Sequence, residues 1–135
     1  MKKTITIAVD AMGGDNSPKK IIDGISIHYK YSKETNYKIF GDEKLINPLI
    51  LKNKLPSKNI EIIHTDKVVE NEDSALSAAK RGKDTSLWLA IDSLKNNLTD
   101  GIVSAGNTGA FFVIAKLNLN MIENIDKPAL SGLWP

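Results

Sequence analysis

The chain has 135 residues, 41% of them hydrophobic and 25% charged, which suits a single globular domain with a real core. Eighteen basic residues against sixteen acidic ones leave a formal charge of +2, and the lysines are scattered, so no nucleic-acid partner is expected. Cysteine is absent, which excludes disulfides, a thiol nucleophile and thiolate metal sites. With no apolar signal core in "MKKTITIAVDAMGG" and no run near the ~20 residues of a membrane span, a soluble cytoplasmic protein is expected.

The first element is "TITIAVDA" (Thr4–Ala11), β-branched and apolar, as in a strand buried on both faces of a parallel sheet. A helix is predicted over residues 16–33, with Asn16 or Ser17 as N-cap, Pro18 in its first turn, and Ile21, Ile25 and Tyr29 on one face. "YKIFG" (Tyr37–Gly41) is a second strand, residues 42–55 a helix with Pro48 in its early part, and "NIEIIHT" (Asn59–Thr65) a third strand. The polar stretch 66–84 reads as a loop with a short helical turn. The clearest helical period follows in 85–97, where Leu87, Ile91 and Leu94 share a face and Thr85 or Ser86 caps. "DGIVSAG" (Asp100–Gly106) is a fourth strand, 108–120 a fourth helix, and "PALSGLWP" (Pro128–Pro135) begins a fifth strand. The alternation predicts a doubly wound, three-layer α-β-α domain around a mostly parallel sheet. Ending on a strand leaves either a bare sheet edge or the front part of a longer domain.

Two strand-to-helix junctions are rich in glycine: "DAMGGDNSP" and "SAGNTGA". Ligands of doubly wound sheets bind where strands end, and glycine lets an anion approach backbone N–H groups beside a helix N-terminus. Ser104, Asn107 and Thr108 add side-chain donors at the second junction. Either junction alone is as well read as an ordinary turn; the pair together favours an anion site. Neither G-x-G-x-x-G nor G-x-x-x-x-G-K-[ST] is present, so a standard dinucleotide or NTP site loses support. Asp10 and Asp15 flank the first turn. They would repel a nucleotide and could orient nearby groups, and their spacing is too weak a signal to assign a metal. His64 ends the third strand and is a candidate orienting residue, although a lone histidine there is more often structural. "KRGKD" (Lys80–Asp84) reads as a solvated basic loop, while Trp88, Phe111 and Phe112 read as core. No Ser-His-Asp arrangement is defensible from spacing.

"AVDAMGGDNSP", "IEIIHTDKVVENED", "KDTSLWLAIDSLK", "SAGNTGA" and "KPALSGLWP" closely resemble, in this order, segments of the bacterial acyl-ACP:phosphate acyltransferase family. The resemblance runs from near residue 4 to the last residue and matches only the N-terminal part of that longer family. It implies an incomplete three-layer domain of the isocitrate-dehydrogenase-like and phosphotransacetylase-like kind. It also implies transfer of a fatty acyl group from acyl carrier protein to inorganic phosphate, giving acyl phosphate for phospholipid synthesis, with no cofactor and no metal. A cytoplasmic homodimer with peripheral contact to the inner face of the membrane is implied as well. On this reading Ser104, Asn107 and Thr108 are catalytic donors to phosphate or the developing oxyanion. Gly13, Gly14, Asp15, Gly109 and Lys83 hold phosphate, with Lys83 alternatively meeting the acidic carrier, and Asp10 and His64 orient. There are two departures from the family pattern: Lys127 stands where arginine is common, and Asn71–Glu72 where a Met-Asp form is commoner. The alternatives are a truncated, inactive remnant that still binds phosphate and a small phosphate- or nucleotide-binding module of unrelated activity.

Overall fold

A computed structural model of the chain describes residues 4–133. It contains the strands β1 (Thr6–Asp10), β2 (Asn36–Gly41), β3 (Ile60–His64) and β4 (Gly101–Val103). The helices are α1 (Lys19–Tyr31), α2 (Glu43–Lys52), α3 (Ala75–Arg81), α4 (Ser86–Lys95) and α5 (Thr108–Asn118). The strands form one all-parallel sheet in the order β3-β2-β1-β4. Ile7 sits opposite Tyr37 on one side and Gly101 on the other, and Gly41 sits opposite His64.

The strands read as continuous apolar runs because both faces are covered. Ile7, Val9, Ala11, Tyr37 and Ile39 pack under α1 and α2, against Ile22, Ile25, Ile46 and Ile50. Residues one step out of phase, Ala8, Phe40 and Ile63, face Ala90 of α4. Beyond them α3, α4 and α5 share a second core of Ala78, Leu87, Ile91, Ala110 and Ile114. The result is the expected three-layer α-β-α sandwich. No helix among the described residues is long and apolar enough to cross a membrane.

Four helix starts carry side-chain caps: Asp42 on α2, Ser74 on α3, Thr85 on α4 (one of the two residues expected there) and Asn107 on α5. The start of α1 differs from expectation. Pro18 holds the N-cap position with no side-chain cap, and the Ser17 hydroxyl donates instead to the Gly13 carbonyl at 2.6 Å. Asn16 takes a left-handed conformation (φ 59), so neither residue before Pro18 is placed to cap the helix. The predicted turn within 66–84 is the two-turn helix α3. The expected fifth strand is absent over 128–133. A strand needs a ladder partner, and this segment has none among the described residues, leaving Leu130 and Leu133 exposed. Its last two residues, Trp134 and Pro135, lie outside the described residues.

Candidate active site

From β1 the chain steps outward to β2 and β3, then returns so that β4 lies on the other side of β1. The gap beyond the carboxyl ends of β1 and β4 is therefore the point at which strand order reverses, where doubly wound sheets hold their ligands. Both glycine-rich junctions leave the sheet there, one after Asp10 and the other after Val103.

The two turns touch backbone to backbone. A Cβ on Gly13 would lie 2.6 Å from Asp10 Oδ2 and 3.0 Å from the Gly106 backbone. A Cβ on Gly14, at φ +82, would lie 2.2 Å from the Ala105 carbonyl oxygen. Glycine is thus required first by the neighbouring turn and by a left-handed backbone. Beneath this contact Asp10, 2% exposed, accepts from the Ser104 hydroxyl at 2.7 Å and from the Met12 amide at 3.2 Å. The Ser104 oxygen in turn accepts from the Gly106 amide at 3.2 Å. A buried carboxylate is tolerable only with such donors, and here it ties one turn to the other.

Above the sheet the turn between β3 and α3 joins both junctions. Asn107 caps α5 through Oδ1 on the Ala110 amide at 2.9 Å. Its Nδ2 donates to the carbonyls of Asn71 at 3.1 Å and Asp73 at 2.8 Å. Asn71 in turn donates its side-chain amide to Asp15 Oδ1 at 3.2 Å. Asp73 is held by the Glu70 amide at 3.1 Å and by Arg81 at 3.4 Å.

Gly13, Gly14, Asp15, Ser104, Asn107, Thr108 and Gly109 thus fall on two adjoining turns, with Asp10 under them. Among the described residues the amides of Gly13, Gly14, Asp15, Thr108 and Gly109 make no hydrogen bond. The last two open α5, where unpaired N–H groups and the helix dipole favour negative charge. Thr108, exposed, borders a cleft of about 320 Å³ with Ser104, Gly106 and Phe111. Both amide hydrogens of Asn107, by contrast, already have acceptors. Lys83 stands apart: it is exposed in the turn between α3 and α4 and makes no hydrogen bond or ion pair among the described residues. His64 ends β3, two strands from β1 and so roughly 10 Å away. There its Nδ1 accepts from the Glu43 amide at 3.2 Å, at the start of α2. No group of three or more histidine, aspartate or glutamate side chains placed to hold a metal occurs among the described residues.

Sequence reasoning overlooked Asn71 and Asp73. Their signal was slight: a polar "ENED" following a strand whose carboxyl end faces the same side as the glycine turns.

A family model described as "Fatty acid synthesis protein" matches residues 5–135. Among curated proteins the chain is similar to phosphate acyltransferases of Pelagibacter ubique (64% identical over 135 residues), Parvibaculum lavamentivorans (43% over 136) and Rhodospirillum rubrum (39% over 135). Each alignment covers 100% of this chain and 40%, 38% and 39% of the relative, respectively. The chain therefore spans about two fifths of the length of these relatives. With a family match over nearly its whole length, the chain belongs to the fatty acid synthesis protein family, alongside the phosphate acyltransferases.

Proposed function

We propose that this chain is the N-terminal part of a single α/β domain of an acyl-ACP:phosphate acyltransferase, and that its two glycine turns hold the phosphate. The observation that carries the reading is the meeting of the turns at the switch point, with the amides of Gly13, Gly14, Asp15, Thr108 and Gly109 unpaired around it. The relatives, as phosphate acyltransferases, supply the reaction class.

In that reaction a phosphate oxygen attacks the thioester carbonyl carbon of acyl carrier protein. The C–S bond then breaks, the carrier's thiolate leaves with the proton released from hydrogen phosphate, and acyl phosphate remains. Phosphate is itself the nucleophile, so no enzyme thiol or serine alkoxide is needed. The protein's work is to hold phosphate in line and to stabilise the tetrahedral oxyanion. The backbone amides of Gly13, Gly14, Asp15 and Gly109 are assigned to phosphate, and Thr108 to the developing oxyanion. Ser104 and Asp10 fix the distance between the turns, and Asn107 holds the start of α5 in place. Lys83 is assigned to the acidic surface of the carrier, with His64 orienting the start of α2 at a distance from phosphate. A homodimeric cytoplasmic enzyme in peripheral contact with the membrane completes the reading.

Coverage of only 40% of the Pelagibacter ubique relative also favours a second reading, in which the chain binds phosphate without turning over. One pair of measurements separates the two and tests both. Titrating the chain with inorganic phosphate is expected to shift the amide NMR signals of Gly14 and Gly109, and Gly14→Ala is expected to abolish the response. Incubation with acyl-ACP and phosphate then reports whether this chain itself forms acyl phosphate. Unmoved glycine signals at saturating phosphate would remove the anion site from both readings.

A further inference from the structure

We propose that Asn71 is a positioning residue that clasps the two glycine turns together and so sets the width of the anion site between them. The proposal rests on the reading of those turns as an anion site. It adds a residue on a third segment, 56 positions from Asp15 in the chain and 36 from Asn107.

Asn71 reaches the two turns with different atoms. Its side-chain amide donates to Asp15 Oδ1 on the first turn, and its backbone carbonyl accepts from Asn107 Nδ2 on the second. The segment that carries it is itself braced. The Asp73 amide donates to the Glu70 carbonyl at 3.2 Å, the Asp73 carboxylate accepts from the Glu70 amide and Arg81, and Ser74 caps α3. A residue on this frame transmits its position to both turns.

The turns therefore have two ties of different character. The lower one, Asp10 to Ser104, is buried and is part of the core. The upper one, through Asn71, is exposed and acts on a charged side chain. Asp15 adjoins the amides of Gly13 and Gly14, so a carboxylate free to change rotamer there would oppose any anion those amides accept. Donation from Asn71 holds that carboxylate in one rotamer and offsets part of its charge. Asparagine suits this position because it donates without carrying charge. An aliphatic side chain here would supply no donor, and aspartate would oppose Asp15 directly.

The test uses the reciprocal pair. Phosphate affinity is read from the Gly14 and Gly109 amide signals of the chain, as native protein, Asn71→Ala, Asn71→Asp and the exchange Asp15→Asn with Asn71→Asp. The exchange reverses donor and acceptor and leaves net charge unchanged. Asn71→Ala is expected to weaken phosphate about threefold, the scale of one exposed charge-assisted contact. Asn71→Asp is expected to weaken it further, with relief as the pH falls into the carboxylate range. The exchange is expected to restore the native affinity. An alanine variant that binds as the native chain does, or an exchange variant as weak as Asn71→Asp, overturns the clasp. If the native chain shows no phosphate response, the anion-site reading has failed, and the clasp is then judged by hydrogen exchange. Faster exchange of the Gly106 and Ala110 amides, which are hydrogen-bonded to Ser104 and Asn107, in Asn71→Ala upholds it, and unchanged exchange overturns it.

Discussion

Tyr37 illustrates at the residue scale how burial sets a limit on stability. It lies under α1, 4% exposed, with its hydroxyl 2.6 Å from His28 Nδ1 and its ring edge-on to the imidazole. Loss of solvent around the phenol, reinforced by Tyr29 and partly opposed by Thr35, raises its pKa above the ordinary 10.0. A pKa raised in the folded state means that folding favours the neutral phenol. The associated stability is complete below 10.0 and is lost as pH rises through the folded value. Denaturant midpoints of the native chain should therefore fall between about pH 9 and pH 11 more steeply than those of Tyr37→Phe. The variant loses its bond to His28 at every pH, so its curve starts lower and runs flatter. Parallel curves would show that Tyr37 does not set the alkaline limit. Asp23 behaves in the opposite sense. Hydrogen bonds from Lys19 and then Asn53 lower its pKa, so what it contributes is present at neutral pH and fades on acidification.

Helix α5 shows at the scale of the element what the sequence carried and what it did not. The period of 108–120 and the strand-like "GIV" before it are local properties, and both elements stand where they were expected. Thr85 and Asp42 likewise cap the helices that follow them, because a cap is decided within one turn of chain. Asn107 was singled out as a donor to a ligand, yet its amide is engaged by the carbonyls of Asn71 and Asp73, which only the folded chain brings near. The two turns that meet beyond the sheet were legible because glycine marks them. The ties between the turns were not, since Ser104 and Asp10 are 94 residues apart. The fifth strand fails for the same reason in reverse: an apolar run specifies a strand only where a neighbour accepts its hydrogen bonds. The two roles of Asn107 can be separated. Asn107→Asp keeps an oxygen for the Ala110 amide and loses both donors, whereas Asn107→Ala loses cap and donors together. The alanine variant should lose about 1–2 kcal/mol of stability and the aspartate variant less, by thermal or chemical unfolding. Equal losses would mean that the cap contributes little and the bonds to 71 and 73 dominate.

At the scale of the whole molecule the sheet is covered unevenly. The apolar floor under α1 is closed between β1 and β2 but open toward β4. There Val103, 55% exposed, borders a groove of about 380 Å³ with Ile7, Val9, Ile21 and Ile25. Beta4 has only three residues, pairs with β1 alone among the described strands, and carries no lysine or proline of the kind that blunts a natural edge. Gly24 leaves open space on the α1 wall of this groove, which Lys20 and His28 also line. Leu117 and Ile122 add exposed apolar area on the α5 side. A formal charge of +2 gives little electrostatic repulsion between copies. The chain by itself should therefore self-associate, with a sedimentation coefficient that rises with protein concentration. Because the attraction is apolar, added salt should strengthen it or leave it unchanged, whereas association through ion pairs would weaken. Val103→Lys places a charge on the open face of the edge strand, where the side chain has room to reach solvent. It should shift the association toward monomer without altering the far-ultraviolet signature of the sheet. A native chain that sediments as one monomeric species up to high concentration would show that the open groove and the β4 edge are not adhesive.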